Sequence, residues 1–199
     1  SSSPQSSLIL FSPPPLHPGN AAAAPKTQRH TRRLRHLSPP PTPCRRLAAA
    51  RPAEPLAAAA FDAYLANDRT LDDPEVVTVD KGARVLLRII NGAAATVFWV
   101  DTGALPGQLV ATDGNAVRPV AGGRFGLAMG QRLDIEVTVP AEGGAFPILA
   151  LREGAVERTG VVLATKGAKV ERIALVSDAP HPAFSTDLAQ EALLQAANP

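Results

Sequence analysis

The chain has 199 residues, 45% hydrophobic and 19% charged, with a formal net charge of +2. That length fits one domain, or one domain with long tails. A single cysteine, Cys44, excludes an internal disulfide and any cysteine-ligated zinc or iron–sulfur centre, and no apolar run approaches the roughly 20 residues of a membrane-spanning helix.

The near-neutral total is a cancellation. Residues 1–58 hold 12 of the 20 prolines, 8 of the 20 Lys+Arg and 1 of the 18 acids (Glu54). By subtraction, residues 59–199 hold 12 bases and 17 acids, so the two parts carry +7 and −5. Four histidines, His17, His30, His36 and His181, lie far apart and set a low ceiling on any metal site. Six Phe, one Trp and one Tyr leave Val, Leu, Ile and Ala to build the core.

Residues 1–58 read as a disordered Pro/Arg/Ser/Ala-rich tail. Ser12-Pro13-Pro14-Pro15, Ser38-Pro39-Pro40-Pro41-Thr42-Pro43 and Arg51-Pro52 break helices and remove backbone donors. Such composition buries too little apolar surface to offset ordering entropy. Three other readings compete. The stretch is Ser- and Arg-rich and nearly acid-free, which is transit-peptide chemistry, but Leu8-Ile9-Leu10-Phe11 is too short for a signal-peptide core. Twin arginines occur at Arg32-Arg33 and Arg45-Arg46, with Pro52, Glu54 and Pro55 interrupting any apolar run after the second pair. Arg29, Arg32, Arg33, Arg35, Arg45 and Arg46 could pair with nucleic-acid phosphates, yet no aromatic residues are interleaved to stack bases. The third reading is a GC-rich gene translated outside its true frame or start. That, or plain disorder, fits the composition best.

From Phe61 the pattern changes to short β-type runs. Residues 75–80 (EVVTVD) precede a turn signal at Lys81-Gly82. Residues 84–91 (RVLLRIIN) form an apolar run ending at Asn91-Gly92, and 95–101 (ATVFWVD) follow. Residues 108–112 and 116–120 flank Asp113-Gly114-Asn115, a tight-hairpin signal. Residues 132–139 alternate without error: Leu133, Ile135, Val137 and Val139 on one face, Arg132, Asp134, Glu136 and Thr138 on the other. This is a half-buried antiparallel strand. Residues 146–152 and 158–165 give two more strands around Glu153-Gly154. Eight or nine short strands over 61–170 predict an all-β, Greek-key antiparallel sandwich. Ser185 or Thr186 can cap a short helix over 187–197.

FDAYLANDRT (61–70), RVLLRIINGAAAT (84–96), FWVD (98–101), QLVATDGNAVRPV (108–120) and AMGQRLDIEV (128–137) occur in an order that resembles a cupredoxin-like (plastocyanin-like) domain of a multicopper oxidase. More narrowly, it resembles the middle domain of the three-domain, laccase-like enzymes. The resemblance covers residues 61 to about 175, and residues 1–58 resemble nothing in the family; with composition and pattern, the chain divides into 1–58 (tail), 59–175 (sandwich) and 176–199 (linker and short helix). Family enzymes oxidise phenols, amines or metal ions at a type 1 copper and reduce dioxygen at a trinuclear copper cluster. The type 1 site needs two His and a Cys thiolate; the cluster needs four His-x-His pairs. This chain has no His-x-His pair. Where copper-bearing domains carry F-x-I-H-x-H, it reads Phe98-Trp99-Val100-Asp101-Thr102-Gly103.

No catalytic, cofactor-binding or metal-binding residue is therefore carried over. The resemblance implies no cofactor in this chain, copper in the parent family, and a chain inactive alone. It implies the first and third cupredoxin domains as partners; the missing aromatics and the short apolar runs argue for no nucleic acid and no membrane, and a domain that packs between two others can expose an apolar face and self-associate when alone. It suggests a periplasmic or extracellular setting, although no clear export signal is visible. Alternatives are a free-standing β-sandwich binding module with the tail as an interaction arm, or a copper-free periplasmic scaffolding member of the family. Flanking DNA encoding His-x-His upstream and His-Cys-His downstream would favour the fragment.

Other residues read as structural. Met129 fills a turn or core, His181 between two prolines is a solvated linker residue, and Cys44 is an inert thiol. Asp113-Gly114-Asn115 is a type I′ turn rather than a calcium loop. Gly122-Gly123 and Gly143-Gly144 are hairpin glycines. Asp134 and Glu136 form a solvated strand face. Trp99 alternates with Phe98, so one of them faces outward, suiting a domain interface, unless both sheet faces are covered.

Overall fold

The structure of the chain, a computed structural model, describes residues 5–12, 61, 63–184 and 190–197. Among the described residues, eleven strands run in chain order: β1 (Gln5–Ser12), β2 (Leu65–Ala66), β3 (Val76–Val79), β4 (Arg84–Asn91), β5 (Phe98–Asp101), β6 (Gly107–Thr112), β7 (Asn115–Gly122), β8 (Arg124–Leu127), β9 (Arg132–Thr138), β10 (Ala145–Arg152) and β11 (Arg158–Thr165). They form a six-stranded sheet, β2-β1-β4-β9-β6-β7, and a five-stranded sheet, β3-β11-β10-β5-β8. The fold is an all-β, cupredoxin-like sandwich.

The two periodicities that define the sandwich are readable side chain by side chain. In β4, Val85, Leu87 and Ile89 point inward and pair across the ladder with Val137, Ile135 and Leu133 of β9. Each such fully buried side chain contributes about 1.5–3 kcal/mol. On the other face, Arg84 reaches Glu136 at 2.6 Å and Arg88 reaches Asp134 at 3.9 Å. Asp134 and Glu136 are thus half-buried partners of arginines on the outer face. From the facing sheet, Phe98, Val100, Phe125, Leu127, Ile148, Ala150, Val161 and Leu163 complete the core.

The β6–β7 connection is the two-residue hairpin expected at Asp113-Gly114, with Thr112 opposite Asn115. Asp113 (φ 49°) and Gly114 (φ 83°) both take positive φ, as a type I′ turn requires. Both Gly143 and Gly144 have positive φ in the β9–β10 turn.

Three sequence expectations change. Gln5–Ser12, read as part of an unstructured tail, is a strand: it runs parallel to β4, from Gln5 opposite Val85 to Phe11 opposite Asn91. Its residues 8–11 are Leu, Ile, Leu and Phe, favourable in strands and free of proline. The remaining tail residues, with Cys44, His17, His30, His36 and the arginines from Arg29 to Arg46, lie outside the described residues. A strand at Arg124–Leu127 also escaped the sequence reading, because Arg-Phe-Gly-Leu is too short to show a period. Finally, the helix expected over 187–197 is not seen in its described part. Glu191–Leu193 is a 3-10 turn, after which Ala196 bridges to Val117. The edge of β7 supplies the reason: its Arg118 amide donates to the Gln195 carbonyl at 2.8 Å, and the Ala197 amide donates to the Ala116 carbonyl at 3.0 Å. Open strand edges draw such partners.

Candidate functional site

β5 is the strand on which the resemblance places the family's ligand motif. Its residues are committed to structure. Asp101 accepts from the Arg124 guanidinium at 2.9 Å through Oδ2 and from the Gly103 amide at 2.8 Å through Oδ1, so both oxygens are engaged. Thr102 is fully buried, and its Oγ1 donates to the Leu105 carbonyl at 2.7 Å. Its amide donates to the Gly123 carbonyl at 2.9 Å. Gly103 sits at φ +59°, and a Cβ built there would lie 3.2 Å from the Pro147 carbonyl. A histidine at 103 would be strained twice over, by its backbone angle and by that carbonyl. By the motif resemblance, Asp101 and Gly103 fall at the positions of the two histidines, and neither an Asp101 carboxylate already engaged on both oxygens nor a glycine supplies an imidazole there.

Elsewhere, no group of three or more His, Cys, Asp or Glu side chains converges among the described residues. Met129 is 52% exposed in its turn. His181 corrects the expectation of a solvated linker residue. It is 9% exposed. Its Nδ1 lies 2.9 Å from the Arg152 carbonyl, and its Nε2 lies 2.9 Å from Ser177 Oγ. Its amide donates to the Ala155 carbonyl at 2.8 Å. With both ring nitrogens and the amide engaged, the imidazole is a brace between the β10–β11 loop and the chain that follows β11. Flanking prolines gave no signal of this in the sequence.

Trp99 also departs from an exposed aromatic: Phe98 and Trp99 are both buried, so both faces of the five-stranded sheet are covered. Phe98 enters the core, with the Tyr64 ring edge-on at 5.3 Å. On the outer face, Trp99 stacks on Phe184 with centroids 4.4 Å apart, and Nε1 donates to the Pro182 carbonyl at 2.8 Å. Gly126 lets that ring in, since a Cβ there would run into Phe184. Further along the face, Val162 shares a groove with Val170 and Ile173. The Arg158 amide donates to the Leu175 carbonyl at 3.0 Å. Chain after Thr165 therefore lines the face that Trp99 would otherwise expose.

The family profile described as multicopper oxidase matches residues 39–169, about two-thirds of the chain. This chain belongs to the multicopper oxidase family. It is 36% identical over 95 residues to multicopper oxidase MmcO of Mycobacterium tuberculosis, a match covering 48% of this chain and 18% of that protein. It is also 36% identical over 84 residues to copper resistance protein A of Escherichia coli, covering 42% of this chain and 13% of that protein. The chain thus spans less than a fifth of the curated relatives it matches. A mutant of the laccase from B. aclada has the same fold, with a TM-score of 0.52 and 17% identity over 61% of this chain and 26% of that one. The family is copper-dependent, and the resemblance read from the motifs is correct at the level of family and fold.

Proposed function

We propose that this chain is the middle, copper-free cupredoxin-like domain of a multicopper oxidase and acts by packing between copper-bearing neighbours. The observation that carries this reading is the state of β5. At the ligand-motif positions, a carboxylate held by Arg124 and the Gly103 amide stands in for one histidine, and a glycine at positive φ stands in for the other. Support also comes from the small share of its relatives that the chain spans, which leaves room for further domains. In the assembled protein, the neighbours would supply the four copper ions and the one-electron oxidation of substrate coupled to dioxygen reduction. This domain would hold them in register. Its own residues bind, orient and exclude, and transfer no electron.

The test is titration of the purified chain with Cu(II), followed by visible absorption. The expected outcome is no intense thiolate-to-copper band and no oxygen-consuming oxidation of a phenol. A saturable blue species at one copper per chain would overturn the proposal.

A further inference from the structure

The most unusual feature of the fold is where one interior strand comes from. β1 lies between β2 and β4 in the six-stranded sheet, yet residues 13–64 separate it in sequence from the rest of that sheet. Its main partner is β4, along the parallel register from Gln5 opposite Val85 to Phe11 opposite Asn91. On its other side, β2 meets it only at Phe11 and Ser12. Among the described residues, β1 is held along most of its length by one ladder, and without it no described strand would pair with that side of β4.

We propose that the groove beside β4 is a donor-strand acceptor, and that Gln5–Ser12 of a second copy of this chain fills it by reciprocal exchange. Strand addition to a sheet edge takes its affinity from main-chain hydrogen bonds, which any copy of the same segment supplies equally. An exchanged pair therefore keeps every ladder contact of the single chain and differs only in connectivity. The balance rests on effective concentration. Linked donors reach roughly millimolar values at best, and the 52 residues between Ser12 and Leu65, counted as 64 minus 12, make this a long linker. Single chains then dominate at micromolar concentration and exchanged dimers accumulate toward millimolar.

Parallel ladders supply a sharp test, because alternate residues of a strand donate to the same neighbour. Of the adjacent Leu8 and Ile9, one amide points to β4 and the other away from it, to a side where β2 does not reach. Full-length chains carrying Leu8→Pro and Ile9→Pro singly should therefore differ. One removes a ladder donor, while the other faces a side where no described strand pairs with it and is tolerated as proline is on an edge strand. The damaging variant is expected to bind a labelled synthetic peptide of sequence QSSLILFS at least tenfold more tightly than the unsubstituted chain, by fluorescence anisotropy. The unsubstituted chain, refolded near millimolar concentration, is expected to form a dimer by light scattering, with differently tagged copies co-purifying; the damaging variant is expected to form none. If that variant fails to fold, added peptide should restore the near-ultraviolet circular dichroism of Trp99, and no restoration overturns the proposal. A folded variant that ignores the peptide, equal effects of the two prolines, or a dimer that survives the damaging substitution would overturn it as well.

Discussion

Asn91 ends β4 with a buried side chain whose hydrogen-bonding capacity is nearly all used. Nδ2 donates to the carbonyls of Thr96 at 2.9 Å and Leu127 at 3.1 Å, and Oδ1 accepts from the Ala93 amide at 3.0 Å. The side chain thus ties β4 to the loop before β5 and to the end of β8. Replacing it by an apolar residue of similar volume strands two carbonyls and an amide, each costing about 1–3 kcal/mol when buried. Asn91→Leu is expected to destabilise by about 3–4 kcal/mol in urea unfolding, short of the full sum because the loop can relax toward water. Thr159 gives the opposite sign. It is fully buried in β11, and its Oγ1 has no partner among the described residues. Thr159→Val keeps the shape and removes the unpaired hydroxyl, so it is expected to stabilise by about 1 kcal/mol. An unchanged or lowered urea midpoint for this variant would contradict that. Neither role was legible in the sequence. Asn91 read as a turn signal after an apolar run, and only three-dimensional convergence shows which carbonyls it serves. By contrast, Asp113-Gly114 was legible, because the chemistry of a type I′ turn is local: both residues must take positive φ, and both do.

At the scale of elements, the alternation of β9 was readable without error because one face of the sheet is buried and the other solvated. Its outer ion pairs with β4 are exposed enough to be worth about 0–1 kcal/mol each, so they mark register more than they stabilise it. β11 was legible as a strand but not for its environment. Seven of its eight residues are buried, which the second face of the sheet accounts for only once it is covered. That cover comes from chain with no periodicity, held by single contacts such as Trp99 on Phe184 and His181 on Arg152. Such contacts leave no pattern in a sequence. Phe184→Ala is expected to remove the stacked ring from Trp99 and open its outer face to water. The measurement is the fluorescence of the chain's one tryptophan, which should shift to the red, with a loss of stability of about 1 kcal/mol. An unshifted spectrum would mean that Phe184 does not shield it.

For the whole molecule, order of motifs carried the family, and missing ligands carried the proposed role. Five short motifs, each weak alone, follow one another as in cupredoxin-like domains, and the family match spans residues 39–169. The geometry adds a reason that sequence could not give. Histidine is not merely missing at Gly103 but sterically and conformationally opposed there, by the Pro147 carbonyl and by φ +59°. Arg124 likewise engages the Asp101 carboxylate, which the proposed reading sets at the other ligand position. A chain built this way would contribute packing surfaces rather than redox chemistry to its protein. The most direct measurement is electron paramagnetic resonance of the full chain after stepwise addition of Cu(II) under oxidising conditions. The account predicts only signals of weakly held copper on nitrogen and oxygen ligands, removed by a mild chelator. A chelator-resistant signal at one copper per chain, with the narrow hyperfine splitting of a copper–thiolate centre, would contradict it.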